Sequence, residues 1–205
     1  LYSRRYVEFD IDMAIDDEGT FRALWAVLPA QVLWSGSSGP ESVLHALVDA
    51  SERHAAGTCR ALRDGVLGAS ADVLGALMMR PPRPPIDSAF EQALTIVYRI
   101  LFLLFAEARG LVPLWHPVYR ESYSVDALRV AAERGPTCAG LWDALQAISR
   151  LAHAGCRAGD LRVTAFNGRL FAPSRTPLAE RRDLDDEAAR RAVLALSTRP
   201  SPDRA

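Results

Sequence analysis

The spacing of apolar residues predicts a chain built mainly from helices. Leucine, valine, isoleucine and alanine recur every three or four residues over long stretches, and this interval places them on one face of an α-helix. The stretches with this period are residues 21–28, 40–79, 88–109, 125–135, 137–155 and 187–197. We therefore expect a mainly α fold, a multi-helix bundle in which amphipathic helices bury their apolar faces together.

Two short stretches have a different pattern. Polar and apolar side chains alternate over residues 6–13, which is the period of a strand with one buried face. A short N-terminal strand or arm is expected there. Residues 161–171 are predicted to form a small irregular or β segment, in which Asn167 and Gly168 make a tight turn.

The most apolar stretch, residues 88–109, predicts a central helix. Its apolar residues lie nearly all round the helix axis, so other helices are expected to surround it. Gly110 is expected to end it. Four charged residues interrupt the stretch, namely Glu91, Arg99, Glu107 and Arg109. They leave no run of about 20 apolar residues, the length that a membrane span requires, so no membrane association is predicted.

Loops and prolines divide the chain into five predicted parts. The sequence SGSSGP at 35–40 is typical of a loop, and RPPRPP at 80–85 stops a helix. The predicted parts are an N-terminal arm and first helix at 1–39, a helical pair at 40–79, a proline-rich linker at 80–86, a central helical connector at 87–173, and a C-terminal helix and tail at 174–205. The joint of the helical pair is expected near Gly57 or Gly68.

Composition indicates an ordinary globular chain with an uneven distribution of charge. Of its 205 residues 49% are hydrophobic and 24% are charged, and the net charge of −1 argues against general binding of polyanions. Residues 150–182 nevertheless carry seven arginines and only two acids. All 24 basic residues are arginine. GC-rich coding explains this more simply than phosphate recognition, and it excludes chemistry that needs a lysine.

The sequence assembles no catalytic site and no metal site. Its three cysteines are far apart and odd in number, which indicates a reducing cytoplasm rather than a disulfide framework. His153 and Cys156 could form half of a zinc site, but no partners follow. Glu8, Asp10 and Asp12 lie on one face of the predicted strand, where a Mg²⁺ site would need them. A solvated strand edge is the simpler interpretation.

Four arginines are the candidate contacts to nucleic acid. They are interleaved with aromatic residues in the basic region, and guanidinium groups bind phosphate while aromatic rings stack on bases. The alternative is an ordinary basic surface. The candidate residues are Arg157, Arg162, Arg169 and Arg175.

Three motifs follow one another in the second half of the chain: FAEARGLVP at 105–113, YRESYS at 119–124 and FNGRLF at 166–171. With the leucine-rich helix before them, they resemble the helical region that precedes the catalytic domain of large adenine-specific DNA methyltransferases. These are the type IIG/IIL restriction-modification enzymes and the related phage-exclusion methyltransferases. Phe166 and Arg169 depart from the tyrosine and glycine that are usual in the family. The motif residues to which the resemblance assigns structural roles are Glu107, Arg109, Gly110, Tyr119, Tyr123, Asn167 and Gly168.

The resemblance implies a parent protein that transfers a methyl group from S-adenosylmethionine to adenine in double-stranded DNA, with or without endonuclease activity. This chain has neither the Asn/Asp-Pro-Pro-Tyr/Phe tetrapeptide of such enzymes nor their glycine-rich cofactor loop. No catalytic residue and no cofactor are therefore expected within it. Its first residue, Leu1, suggests a piece of a longer protein.

The expected role is that of a non-catalytic helical connector in a cytoplasmic bacterial defence protein. Its expected partner is double-stranded DNA, reached through the parent protein. The alternative is a helical protein-interaction module that binds other defence subunits and makes no contact with nucleic acid.

Overall fold

A computed structural model describes residues 9–29, 43–79, 81–135, 139–166, 168–180 and 184–198. The fold is mainly helical, with one small antiparallel sheet among these residues, as the sequence predicts. The helices are α1 Ile11–Asp16, α2 Glu18–Val27, α3 Val43–Met78, α4 Ile86–Ala108, α5 Pro117–Ser122, α6 Val125–Glu133, α7 Leu141–Ala154, α8 Gly168–Phe171 and α9 Asp186–Ser197. The strands are β1 Cys156–Ala158 and β2 Leu161–Val163, and Pro173–Arg175 form a 3₁₀ turn.

The chain divides into two compact units, residues 1–59 and 60–205. In the first unit, α1 begins after Asp10, whose carboxylate accepts a hydrogen bond from the Met13 amide at 3.1 Å. The strand predicted for residues 6–13 is therefore wrong from Ile11 onward, because a side-chain cap starts a helix there. Residues 1–8 and the predicted loop at 35–40 lie outside the described residues.

α3 runs without interruption for 36 residues. The prediction of a helical pair with a joint near Gly57 or Gly68 is wrong, because a glycine inside a helix costs only about 1 kcal/mol relative to alanine. Gly65 has a packing role instead. A Cβ atom at Gly65 would lie 2.3 Å from the carbonyl oxygen of Ala195 in α9, so only glycine lets the two helix backbones approach this closely.

The core of the second unit forms around one face of α4. This face is made of small and branched residues and is buried against α6, α7 and α9. α9 packs mainly on α6 and also contacts α4 and α7. The buried apolar positions of α4 are Ala89, Ala93, Ile96, Val97, Ile100, Leu103 and Ala106. Gly110 adopts φ +62° just beyond the helix, where a residue other than glycine would be strained.

The opposite face of α4 is exposed. Ile86, Phe90, Tyr98 and Phe105 are 63%, 47%, 54% and 53% exposed, so the prediction that other helices surround α4 holds for one face only. By length and composition α4 is the one helix in the described ranges that could cross a membrane. However, 56% of its apolar window is buried inside the protein, as in the core helix of a soluble protein.

A hairpin and a short helix follow α7. β1 and β2 pair antiparallel, with Arg157 opposite Arg162 across the two strands. Leu161 and Val163 bury their side chains in a second apolar cluster that contains Val112 and Tyr119. The small β segment predicted near 161–171 therefore starts earlier, at Cys156. Asn167 lies outside the described residues, and Gly168 begins α8.

We expect two glycine substitutions in α3 to have opposite effects on stability. Gly65→Ala places a methyl group against the Ala195 carbonyl oxygen and should lower the free energy of unfolding by about 1 to 3 kcal/mol. Gly68→Ala is the matched control, because a Cβ there meets nothing within 4 Å, and it should raise stability by up to about 1 kcal/mol. Urea unfolding of both variants measures this. Equal effects would contradict the close packing of α3 on α9.

Candidate nucleic-acid interface

The segment of residues 168–180 is held by a buried arginine from α4. Arg99 is only 4% exposed. Its Nε donates to the carbonyl oxygen of Leu170 at 2.9 Å, its Nη2 to that of Ala172 at 2.9 Å, and its Nη1 to the hydroxyl of Thr176 at 2.8 Å. Burial lowers the pKa of Arg99 to about 10, and the nearby negative charge of Glu180 partly opposes this. A charged guanidinium is thus paired with neutral acceptors, and each of its three bonds goes to this segment.

Two glutamines and a tryptophan hold the segment further along the chain. Gln92 of α4 accepts a hydrogen bond from the Leu178 amide at 2.8 Å. Trp142 Nε1 donates to the carbonyl oxygen of Ala179 at 3.2 Å, and Gln146 Nε2 donates to the same oxygen. The segment has little regular structure of its own, so these bonds from α4 and α7 determine its path.

Two of the predicted contact residues lie on the outside of this segment. Arg169 and Arg175 are exposed and line a groove of about 580 Å³ together with Leu170 and residues of α4. Tyr98 contributes an aromatic side chain to this groove, and Glu91 contributes one carboxylate. The groove therefore combines two positive charges with one negative charge and an exposed ring.

The other two predicted contact residues lie on the hairpin. Arg157 and Arg162 face each other across β1 and β2, and both are exposed. Directly opposed residues of an antiparallel pair project from the same face of the sheet. The four arginines therefore form two pairs, one on the hairpin and one in the groove.

The remaining arginines of the basic region have other roles. Arg150 pairs with Glu180 at 2.5 Å, and Arg181 and Arg182 lie outside the described residues. In contrast, none of the four predicted contact residues forms an ion pair within the described part of the chain. Their guanidinium groups are available to a phosphate.

Glu107 joins α4 to α6. Its Oε1 accepts a hydrogen bond from the Val125 amide at 2.6 Å and its Oε2 accepts one from the Asp126 amide at 3.2 Å. Ser124 completes the cap, because its hydroxyl accepts from the Ala127 amide at 3.0 Å. Glu107 forms no ion pair with Arg109, two residues further along the chain. Arg109 instead lies over the Phe105 ring, 5.6 Å from its centroid.

Burial is the main influence on the acidity of the Glu107 carboxyl group. It raises the pKa of Glu107, the two amide donors lower it in part, and the nearby charge of Asp126 raises it. Burial is also the main reason why the pKa of Tyr119 is raised to about 12. The nearby negative charge of Glu107 raises it further. Glu107 thus fixes the angle between two helices while losing much of its hydration.

The other motif residues also make contacts within the fold. Tyr119 is buried in α5, and Tyr123 packs against both apolar clusters. Gly168 accepts a hydrogen bond at its carbonyl oxygen from His153 Nδ1 at 3.1 Å. This contact engages His153 with the backbone of α8 rather than with Cys156.

Two functional features were missed by sequence reasoning. Arg99 was noted only as a charge that interrupts an apolar stretch, although a lone arginine in such a stretch is a signal of a buried polar network. Trp115 was not singled out, yet it is 68% exposed beside a cavity. Nothing in the local sequence distinguishes an exposed tryptophan from a buried one.

In the ranges that the structure describes, no three His, Cys, Asp or Glu side chains are grouped so that they could hold a metal ion. No family model, no curated protein and no solved structure matches the chain. The arrangement of side chains is therefore the basis for a functional proposal.

We expect the pH dependence of stability to depend on Glu107. Its raised pKa means that the folded protein holds this proton more tightly than the unfolded chain does. Stability from this group should therefore fall as pH rises from the unfolded pKa toward the folded one. Residue 107 cannot titrate in the Glu107→Gln variant. The free energy of unfolding of the wild type, minus that of the variant, should therefore decrease as the pH rises above about 4. Urea unfolding at a series of pH values measures this difference. An increase in the difference as the pH rises would contradict the prediction.

Proposed function

We propose that the chain is a non-catalytic helical connector of a larger cytoplasmic protein that acts on DNA. In this proposal it holds other parts of the parent protein at a set distance and contacts the DNA backbone itself. The contact residues are Arg157, Arg162, Arg169 and Arg175. The observation that carries the proposal is that these four arginines are exposed and free of ion pairs in the described part of the chain, on elements that buried contacts hold in place.

Three arginines of α6 and α9 show the contrast. Arg129 bonds Asp126 at 2.7 Å and Glu133 at 2.8 Å, and Arg190 bonds Glu187 at 2.7 Å. Arg191 bonds Asp72 at 2.8 Å. Such arginines are already neutralised by carboxylates, whereas the four proposed contact residues can exchange water for phosphate oxygens.

The identity of the parent protein is part of the same proposal. The motifs of residues 105–113, 119–124 and 166–171 resemble those of adenine-specific DNA methyltransferases of bacterial defence systems. The proposed parent binds S-adenosylmethionine and methylates adenine outside this chain. The buried bonds of Arg99 and Glu107 give the connector the rigidity that a fixed spacing requires.

The exposed face of α4 favours a second candidate, a helical module that binds another protein. Ile86, Phe90, Tyr98 and Phe105 follow one another at intervals of four, eight and seven residues along this face. Exposed apolar side chains at such spacing suit a partner helix. A module of this kind would make no contact with nucleic acid, so binding to DNA at low salt separates the two candidates.

The test is binding of the chain to a labelled duplex of generic sequence over a series of salt concentrations. The wild-type chain should bind at low salt and lose affinity steeply as salt rises. Replacing the four proposed contact arginines by alanine should reduce the slope of log affinity against log salt by up to about 4, because each phosphate contact contributes about 0.9.

A second quadruple variant is the matched control. It removes the same charge from other exposed positions, Arg60, Arg83, Arg120 and Arg134, and should leave the slope nearly unchanged. Equal slopes for the two quadruple variants would contradict the assignment of the contact residues. No binding by the wild-type chain at low salt would contradict a DNA-contacting connector and favour the second candidate.

A further inference from the structure

A cavity of about 370 Å³ lies beside the hairpin, between β2 and the chain that follows α4. Its lining is largely apolar and includes Phe102, Ala106, Val112 and Phe166. Arg162 and Trp115 also line the cavity, and among the described residues Arg162 is the one charged residue that does so. The volume lies within the range of pockets that bind small ligands, about 300 to 1,000 Å³.

Trp115 has an unusual environment for its residue type. Its side chain is 68% exposed, although a tryptophan in a folded protein normally buries most of its surface. On one side it contacts the buried ring of His116 in an edge arrangement, with centroids 5.5 Å apart and planes at 71°. Most of the indole surface therefore remains available to another planar group.

A contact between two loops links the backbone at Trp115 to the hairpin that carries Arg162. His116 Nε2 lies 3.2 Å from Asp160 Oδ1, and Asp160 is in the turn that joins β1 to β2. The residue next to Trp115 is thus bonded to the hairpin that carries Arg162. This contact sets the distance between the backbone at Trp115 and the hairpin before any ligand arrives, which lowers the entropic cost of binding.

We propose that this cavity takes an unpaired nucleotide of a DNA strand. The base stacks on Trp115 over the apolar lining, and Arg162 with its neighbour Arg157 contacts the adjoining phosphates. The proposal rests on the proposed function and deepens it, because it gives one of the two arginine pairs a preference for single-stranded DNA. A planar, apolar-faced group linked to an anion matches an indole beside an arginine.

Duplex DNA does not fit this cavity in the same way. Every base within a duplex has both faces stacked, and taking one out costs a few kcal/mol. A single strand presents its bases without this cost, and stacking on an aromatic side chain contributes about 1 to 3 kcal/mol per base. The cavity should therefore distinguish single strands from duplexes, while the groove of Arg169 and Arg175 contacts phosphates in either.

The test compares three labelled probes at one low salt concentration: a 12-residue oligothymidylate, a duplex of the same length, and an abasic strand with the same phosphates. Trp115→Ala should weaken binding of oligothymidylate about 5-fold to 150-fold. It should change binding of the duplex and of the abasic strand less than 2-fold. Trp115→Phe keeps an aromatic ring and should recover much of the lost affinity.

Trp25→Ala is the matched control, because Trp25 is also 68% exposed but lies in α2 against Phe21 and does not line this cavity. It should leave all three affinities unchanged. Equal binding of oligothymidylate by wild type and Trp115→Ala, or equal binding of oligothymidylate and the abasic strand, would overturn the inference. If duplex binding persists in that case, the proposed function stands. If the wild-type chain binds none of the probes, both proposals fail.

Discussion

The structure of the second unit depends on one buried cation. Arg99 lies in the most apolar helix of the chain and makes its three hydrogen bonds to residues 170, 172 and 176. Removing an arginine from water is costly unless every donor finds an acceptor, and the lowered pKa of Arg99 reflects that cost. The segment of residues 168–180 must therefore follow the path that supplies these acceptors. The backbone that carries its two exposed arginines is thus held in place by Arg99.

Carboxylates from distant positions join the helices in a similar way. Glu107 at the end of α4 caps α6, and Asp186 at the start of α9 accepts hydrogen bonds from the Gly140 and Trp142 amides at the start of α7. A helix N-terminus has amide donors without partners in the helix, so a carboxylate there both satisfies them and fixes the angle of approach. Rigid joints of this kind would suit the proposed connector role.

Local features of this fold could be predicted from sequence, whereas features that depend on distant partners could not. Gly110 as the end of α4 is confirmed, because the end of a helix is decided within a few residues. α3 was divided wrongly, because a glycine inside a helix costs only about 1 kcal/mol and does not by itself end the helix. Arg99 finds its acceptors 71 to 77 residues away, so no local pattern could reveal them. The four arginines were identified by charge, but their arrangement in two pairs required the fold.

Hydrogen–deuterium exchange of Arg99→Leu tests the central claim most directly. The account predicts faster exchange across residues 168–180, where the Thr176 and Ala179 amides donate to nearby carbonyl oxygens. The amides of α6 and α9 should keep the protection that they have in the wild-type chain, because their packing does not use Arg99. Unchanged exchange in residues 168–180 would show that the segment keeps its path without the buried cation. That result would contradict the account.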